Sequence, residues 1–243
     1  MTNTCTADNL LMAIHSLLLQ RNNISKNWKR SSITAFEILQ SVHEKFQINK
    51  FHEGKHMWLN QFFRVNSPTW NSFGSTYDYS LCKIPVATTY KSTCNNQACS
   101  EPVKVKISPI LGYIQGATNK TLQAGINKWL DNAIRIHCTK CPGMRSYSRR
   151  EFVTQDTIIY VDVSNNPWSI PLSLNIKLSK YQLRMITYGN GGHFCSSILI
   201  NNRWYTYDGL KEYHSPGSGL KRIIKPTAQP GYFPDYALFC ECI

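Results

Sequence analysis

The sequence has no apolar run approaching the roughly 20 residues a helix needs to cross a bilayer. Its longest candidate, Leu10 to Leu19, is interrupted by His15 and Ser16 and has no basic leader ahead of it, which argues against a signal peptide. It also lacks low-complexity tracts, internal repeats and any obvious linker, so one domain is expected. The expected setting is therefore the cytosol or nucleus, with no membrane attachment and a monomeric chain. Acids are scarce: 14 Asp and Glu stand against 27 Lys and Arg, a net charge of +13. Such a surplus favours acidic partners, either nucleic acid or an acidic protein. The basic residues are spread along the chain, and the densest group is Lys140, Arg145, Arg149 and Arg150. The plain reading of that group is a solvated positive face, with nucleic-acid binding as the minority alternative.

What is present is enough for one sizeable core: 243 residues, 42% hydrophobic and 12% aromatic. Leu10, Leu11, Ile14, Leu17 and Leu18 recur at helical spacing behind Cys5, and Thr6 or Asp8 can cap that helix. Cys5 then sits at a helix N-terminus, where the helix field favours the nucleophilic thiolate. The alternative is a small buried hydrophobe, the usual fate of a free cysteine. A second helix is expected from Ser32 and a third over about Lys55 to Val65. From Tyr77 the pattern turns to β, with strands expected at 79–90, 103–108, 156–163, 172–176 and 181–187, and amphipathic helix over 121–134. The class is α+β, divided into a helical region at about 1–76, a cysteine-bearing region at about 77–150 and a mainly antiparallel sheet at about 151–243.

Nine cysteines could signal a disulfide scaffold, but their spacing argues otherwise. Cys94 and Cys99 form one close pair and Cys138 and Cys141 another, the pattern of a closed tetrahedral thiolate site for structural zinc. Two incidental pairs are the alternative, since the first spacing is looser than the second. His137 precedes its pair and reads as a bystander. Cys82, Cys195, Cys240 and Cys242 read as buried or tail residues.

The stretch from Gly191 to Asp208 reads as a hairpin. Gly191-Gly192-His193 opens one strand, Asn201-Asn202 supplies a turn pair tolerant of left-handed backbone, and a second strand ends on Asp208. Antiparallel pairing brings the start of one strand to the end of the other, and so His193 to Asp208. A carboxylate beside an imidazole selects its tautomer and stabilises its charged form. A surface pair is the bland alternative. A cysteine before a buried helix, with a His and Asp hairpin far downstream, is the layout of papain-like cysteine proteases.

The chain resembles the ubiquitin-specific proteases on an ordered set of motifs. Asn3-Thr4-Cys5-Thr6-Ala7-Asp8-Asn9 is similar to that family's cysteine box. Gly192-His193-Phe194 resembles its Gly-His-Tyr, and Trp204-Tyr205-Thr206-Tyr207-Asp208 its Trp-x-x-Phe-Asp. The strand Tyr181 to Ile186 and the two cysteine pairs stand where the family has them. The resemblance implies a papain-like hand, with a helical thumb, an antiparallel β palm and zinc-bearing fingers. It implies Cys5 as nucleophile, His193 as general base and Asp208 as orienting acid, in a deubiquitinase that cleaves after a C-terminal Gly-Gly. Gly191 and Gly192 would admit that tail, and Cys94, Cys99, Cys138 and Cys141 would hold the zinc. Ubiquitin is the first substrate expected and SUMO the second, which the basic charge suits. A catalytically inactive modifier-binding module and a basic zinc-ribbon nucleic-acid binder are the alternatives. The family's oxyanion asparagine stands five residues before the cysteine, a position ahead of Met1; either a longer chain supplies it or another donor serves, with the Cys5 N–H and the Asn3 or Asn9 side chains as candidates. Thr6 replaces the usual aromatic after the cysteine, and Gly209 replaces the acid that commonly follows the triad aspartate.

Overall fold

In a computed structural model, the described residues are 5–21, 24, 34–63, 87–101, 103–109, 121–131, 135–147, 151–152, 158–164, 169–176, 178–214 and 219–242. Three helices come first: α1 (Cys5–Gln20), α2 (Thr34–Gln47) and α3 (Phe51–Phe62). Then follow β1 (Ala87–Cys94), β2 (Val103–Pro109), α4 (Leu122–Asp131), β3 (Arg135–His137), β4 (Met144–Tyr147) and β5 (Glu151–Phe152). The rest is β6 (Ile158–Asp162), β7 (Ser173–Ile176), β8 (Ser179–Gly189), β9 (Phe194–Ile200), β10 (Arg203–Tyr207), α5 (Gly209–His214), β11 (Leu220–Ile223) and β12 (Phe233–Glu241). Among the described residues no helix is long and apolar enough to cross a membrane.

The chain divides into two compact units. The first comprises Met1–Ile84 and Leu183–Phe239, the second Pro85–Gln182 and Cys240–Ile243.

In the first unit, α1 is the element around which the others pack. Leu10, Leu11, Ile14, Leu17 and Leu18 are at most 2% exposed, so the apolar stripe is fully used. Burial of each such side chain contributes about 1.5–3 kcal/mol. The helix lies against α2, α3, α5 and β9. Its far end is tied to the sheet by Gln20, whose amide donates to the Leu199 carbonyl at 3.4 Å and whose oxygen accepts from Arg184 at 3.3 Å. The sheet runs β11-β10-β9-β8-β12, and the three pairs from β11 to β8 are antiparallel.

The hairpin expected at Asn201-Asn202 is present. Both residues have positive φ, 47° and 58°, which sets Arg203 opposite Ile200 and Tyr207 opposite Ser196. Two expectations about α1 and its neighbours are corrected. The helix begins at Cys5 itself, so Thr6 and Asp8 lie inside its first turns and cannot cap it. The third helix begins at Phe51, four residues ahead of Lys55, and Lys55 is buried in it. The start of the second helix at Ser32 and the strand expected at 79–86 lie outside the described residues.

In the second unit the sheet order is β2-β1-β4-β3, with β5 pairing β1. A separate hairpin of β7 and the start of β8 pairs Ser173 with Gln182. Gln123 on α4 clamps it: its amide donates to the Asn175 carbonyl and its oxygen accepts from the Asn175 N–H, both at 2.7 Å.

Candidate active site and metal centre

Cys5, His193 and Asp208 all belong to the first unit, and each is delivered by a different element. Cys5 is the first residue of α1 and is 7% exposed. His193 directly precedes β9, and Asp208 directly follows β10. Because those strands pair in register up to Tyr207 and Ser196, their ends carry the imidazole and the carboxylate together. His193 Nε2–H donates to Asp208 Oδ1 at 2.9 Å. The Cys5 thiol lies near enough to act on the same ring and favour its charged form. With Nε2 engaged by Asp208, Nδ1 is the nitrogen left for the sulfur, and the tautomer that donates to the acid presents a lone pair to the thiol.

This setting favours the charged imidazole. The Asp208 hydrogen bond first, and then the Cys5 thiol, raise the His193 pKa to about 9 against the opposing effect of burial. For Asp208, burial pushes the carboxyl upward, but His193 and the backbone N–H groups of Lys211 and Leu210 together outweigh it and hold the pKa below the ordinary value. Leu210 N–H donates to Asp208 Oδ1 at 3.1 Å, and Lys211 Nζ stands 3.6 Å from Oδ2. Tyr232 closes one side of the imidazole edge-on, at a ring-centroid distance of 6.4 Å.

Two features around these residues were not singled out from sequence. Asn190 Oδ1 accepts the backbone N–H of Gly192 at 2.9 Å and that of His193 at 2.8 Å, so one side chain holds the approach to the histidine. The signal was legible: an asparagine before glycines is a typical side-chain-to-backbone turn. Asp8 on α1 pairs with Lys55 on α3 at 2.9 Å, both nearly buried. That pair explains Gly209, because a Cβ there would stand 2.6 Å from Asp8 Cβ. An acid after Asp208 therefore has no room.

The other predicted residues are placed as follows. Asn9 is fully buried; its amide donates to the Cys5 carbonyl at 2.7 Å and its oxygen accepts from Ser196 at 2.8 Å. It pins α1 to β9, and its oxygen and one amide proton are already engaged. Asn3 lies outside the described residues. Gly191 and Gly192 are exposed in the turn before His193, with no atom within 4 Å of a Cβ built on Gly191.

In the second unit, Cys94 ends β1, Cys99 follows in the next loop, and Cys138 and Cys141 lie between β3 and β4. All four are free thiols, and their sulfurs lie within 4.8 Å of one another. Cys94 and Cys141 are 3.4 Å apart and Cys99 and Cys138 3.8 Å. Zinc–sulfur bonds of about 2.3 Å in a tetrahedron set neighbouring sulfurs about 3.8 Å apart, so the donor set fits structural zinc. Backbone N–H groups support the sulfurs: Lys140 donates to Cys138 at 3.5 Å and Gly143 to Cys141 at 3.4 Å. Gly143 has no room for a side chain, since a Cβ would meet Cys94 Sγ at 2.9 Å. The Cys138 thiol pKa is lowered to about 6, first by the Lys140 N–H and then by Arg145, against burial. His137 is exposed and stands apart from the cluster. Bound there, zinc supplies a cross-link between the two loops and no open coordination position.

The expectation for the basic group is corrected. Arg145 is 4% exposed and does not belong to a solvated face. Lys140 is exposed, while Arg149 and Arg150 lie outside the described residues.

No protein-family model matches this chain. No curated protein matches it either. Solved structures do match. The Ubp8–Sgf11–Sgf73–Sus1 SAGA DUB module aligns with 100% of this chain at a TM-score of 0.50 and 12% identity. A variant form of that module aligns with 100% at 0.55 and 12% identity. The fold is of the ubiquitin-specific-protease kind. The Neurospora crassa Pan2 catalytic unit, described as protease and nuclease domain, aligns with 99% of the chain at 0.50 and 12% identity. The chain spans 66% and 68% of the length of the two module chains and 56% of the Pan2 chain. This fold, with its antiparallel sheets, is what the likeness establishes, and the four-cysteine site is read from this chain's own sulfurs.

Proposed function

We propose that this chain is a cysteine isopeptidase that cleaves after the C-terminal Gly-Gly of ubiquitin, or of a ubiquitin-like modifier such as SUMO. In this reading the whole chain acts as one catalytic domain and works in the reducing cytosol or nucleus, where free thiols persist. The observation that carries the proposal is the His193–Asp208 hydrogen bond at 2.9 Å, with the Cys5 thiol near enough to act on the same imidazole. These residues come from opposite ends of the chain, on a fold of the protease kind.

The chemistry follows from the geometry. His193 Nδ1 takes the thiol proton, and the Cys5 sulfur bonds to the scissile carbonyl carbon. The tetrahedral adduct collapses, the C–N bond breaks, and the lysine amine leaves with the proton from Nδ1. Water then attacks the thioester, gives a proton to Nδ1, and the C–S bond breaks to free the modifier's carboxylate. Asp208 keeps the ring in the tautomer that faces sulfur and offsets its charge. The Cys5 N–H at the start of α1 is the backbone donor offered to the oxyanion, with the second amide proton of Asn9 as the side-chain candidate. The net charge of +13 suits an acidic modifier in long-range approach, which is the observation favouring SUMO as the second substrate.

The test is a panel of ubiquitin and SUMO probes carrying a C-terminal electrophile. Wild type is expected to form a covalent adduct with at least one, and Cys5→Ala with none. Absence of any adduct on folded, zinc-loaded wild type, or an adduct that persists in Cys5→Ala, rejects the proposal.

Asn190 supplies a second check. Losing its oxygen releases the backbone N–H groups of Gly192 and His193, so Asn190→Ala is expected to lower kcat about tenfold or more through misplacement of the imidazole. Asn190→Asp keeps the acceptor and is expected to restore most of the rate. Equal rates for the two variants would mean that this side chain does not position His193.

A further inference from the structure

We propose that Arg145 is the built counter-charge of the four-cysteine metal site and controls how firmly zinc is held there. The guanidinium is buried at 4% exposure and uses all three nitrogens. Nε–H donates to Cys138 Sγ at 3.2 Å. Nη1 donates to Ser92 Oγ at 3.2 Å, and that serine is itself fully buried. Nη2 donates to the Glu101 carbonyl, and the Glu101 carboxylate stands 3.5 Å away. A guanidinium so enclosed is held in one orientation, with Nε aimed at sulfur.

The charges give this arrangement its meaning. Zinc with four thiolates carries a net charge of about −2 in a partly buried site, and an uncompensated buried charge is strongly unfavourable. The two backbone N–H···S bonds at Cys138 and Cys141 carry only partial charge. Among the described residues, Arg145 is the side chain whose full positive charge is hydrogen-bonded to a ligand sulfur. A charge-assisted N–H···S bond draws electron density from the thiolate and makes it a poorer target for protons and competing electrophiles. Register places it there: Arg145 sits on β4 opposite Cys94 of β1 and Ile136 of β3, between the two metal-binding loops. Arginine suits the position because its fork serves sulfur, hydroxyl and carbonyl together, which a lysine ammonium on a single stem does not.

The test measures zinc transfer from the zinc-loaded full chain to the chromogenic chelator 4-(2-pyridylazo)resorcinol. Arg145→Gln is expected to release zinc about tenfold faster or more, the range typical of lost partners around metal ligands. Arg145→Lys is expected to fall between it and wild type. A second readout covers the case in which the glutamine variant folds poorly. With cobalt(II) in place of zinc, the sulfur-to-metal charge-transfer band is expected to move to lower energy in Arg145→Lys and Arg145→Gln, because a hydrogen bond to sulfur is weakened or lost. An arginine that only fills space would leave band position and release rate unchanged when the lysine variant is folded, and either unchanged result overturns the proposal. The readouts do not depend on peptidase activity, so failure here leaves the proposed reaction standing, and the reverse.

Discussion

Asp208→Asn is expected to slow reaction with an electrophilic modifier probe by about a hundredfold to ten-thousandfold. Asparagine fits the same space, so the fold is expected to survive. The chemistry changes because an amide carries no charge to stabilise imidazolium and can donate to His193 as readily as accept. If the ring then turns its N–H toward Cys5, the sulfur faces a donor instead of a base. The pH dependence supplies a second signature. In wild type the His193 pKa is raised to about 9, first by Asp208, so the alkaline limb of the rate profile is expected near that pH. Without the carboxylate the limb is expected to move down toward the ordinary histidine range. Stability shifts in step. The folded chain holds this proton up to about pH 9, whereas the unfolded chain releases it near 6.5. That contribution is whole below 6.5 and lost as pH rises through about 9, so the Tm of wild type is expected to fall over that window more steeply than that of Asp208→Asn. Matching rate and Tm profiles for the two proteins would reject the role assigned to Asp208.

Removing the metal is expected to unfold the second unit. Structural zinc sites contribute about 10–16 kcal/mol of apparent binding energy at neutral pH, which rivals the entire stability of a typical domain. The partly buried hydrophobic group packed about Cys94, Cys99 and Cys138 consists of these cysteines and Cys141 themselves. Chelation, or Cys99→Ser with Cys138→Ser, is therefore expected to abolish the cooperative melting of this unit and open it to proteolysis between 85 and 182. One zinc per chain by elemental analysis, lost in the double variant, is the companion measurement. A chelated chain shown to be free of metal, yet equally protected from protease, would rule out a zinc-dependent fold.

Much of this was legible in the sequence, and the particular residues show why. The Asn201-Asn202 turn was readable because only left-handed backbone closes a two-residue hairpin, and asparagine accepts it. Once that turn is set, period-two register dictates which strand ends meet, so the approach of His193 to Asp208 could be read from spacing. The cysteine pairs were readable because metal chemistry demands close spacing within each pair. Helix limits were less legible. Lys55 read as the start of a helix, and nothing local announces that Asp8 stands across from it. Arg145 was misread as a surface cation for the same reason. Its three partners, Cys138, Ser92 and Glu101, are brought to it from one neighbouring strand and two loops, and no short window of the sequence contains them all.

What the sequence determined alone was local and periodic: the buried stripe of α1, the hairpin and its register, and the thiolate pattern of a metal site. These rest on backbone preference and side-chain spacing, which act over a few residues. The tertiary structure alone decided which groups meet across the chain. It brought the thiol of residue 5 to an imidazole 188 positions away, engaged Asn9 with Ser196, and left Gly209 no space beside Asp8. Such meetings depend on how helices and sheets dock, which is set by summed burial over the whole core and not by any single stretch of chain.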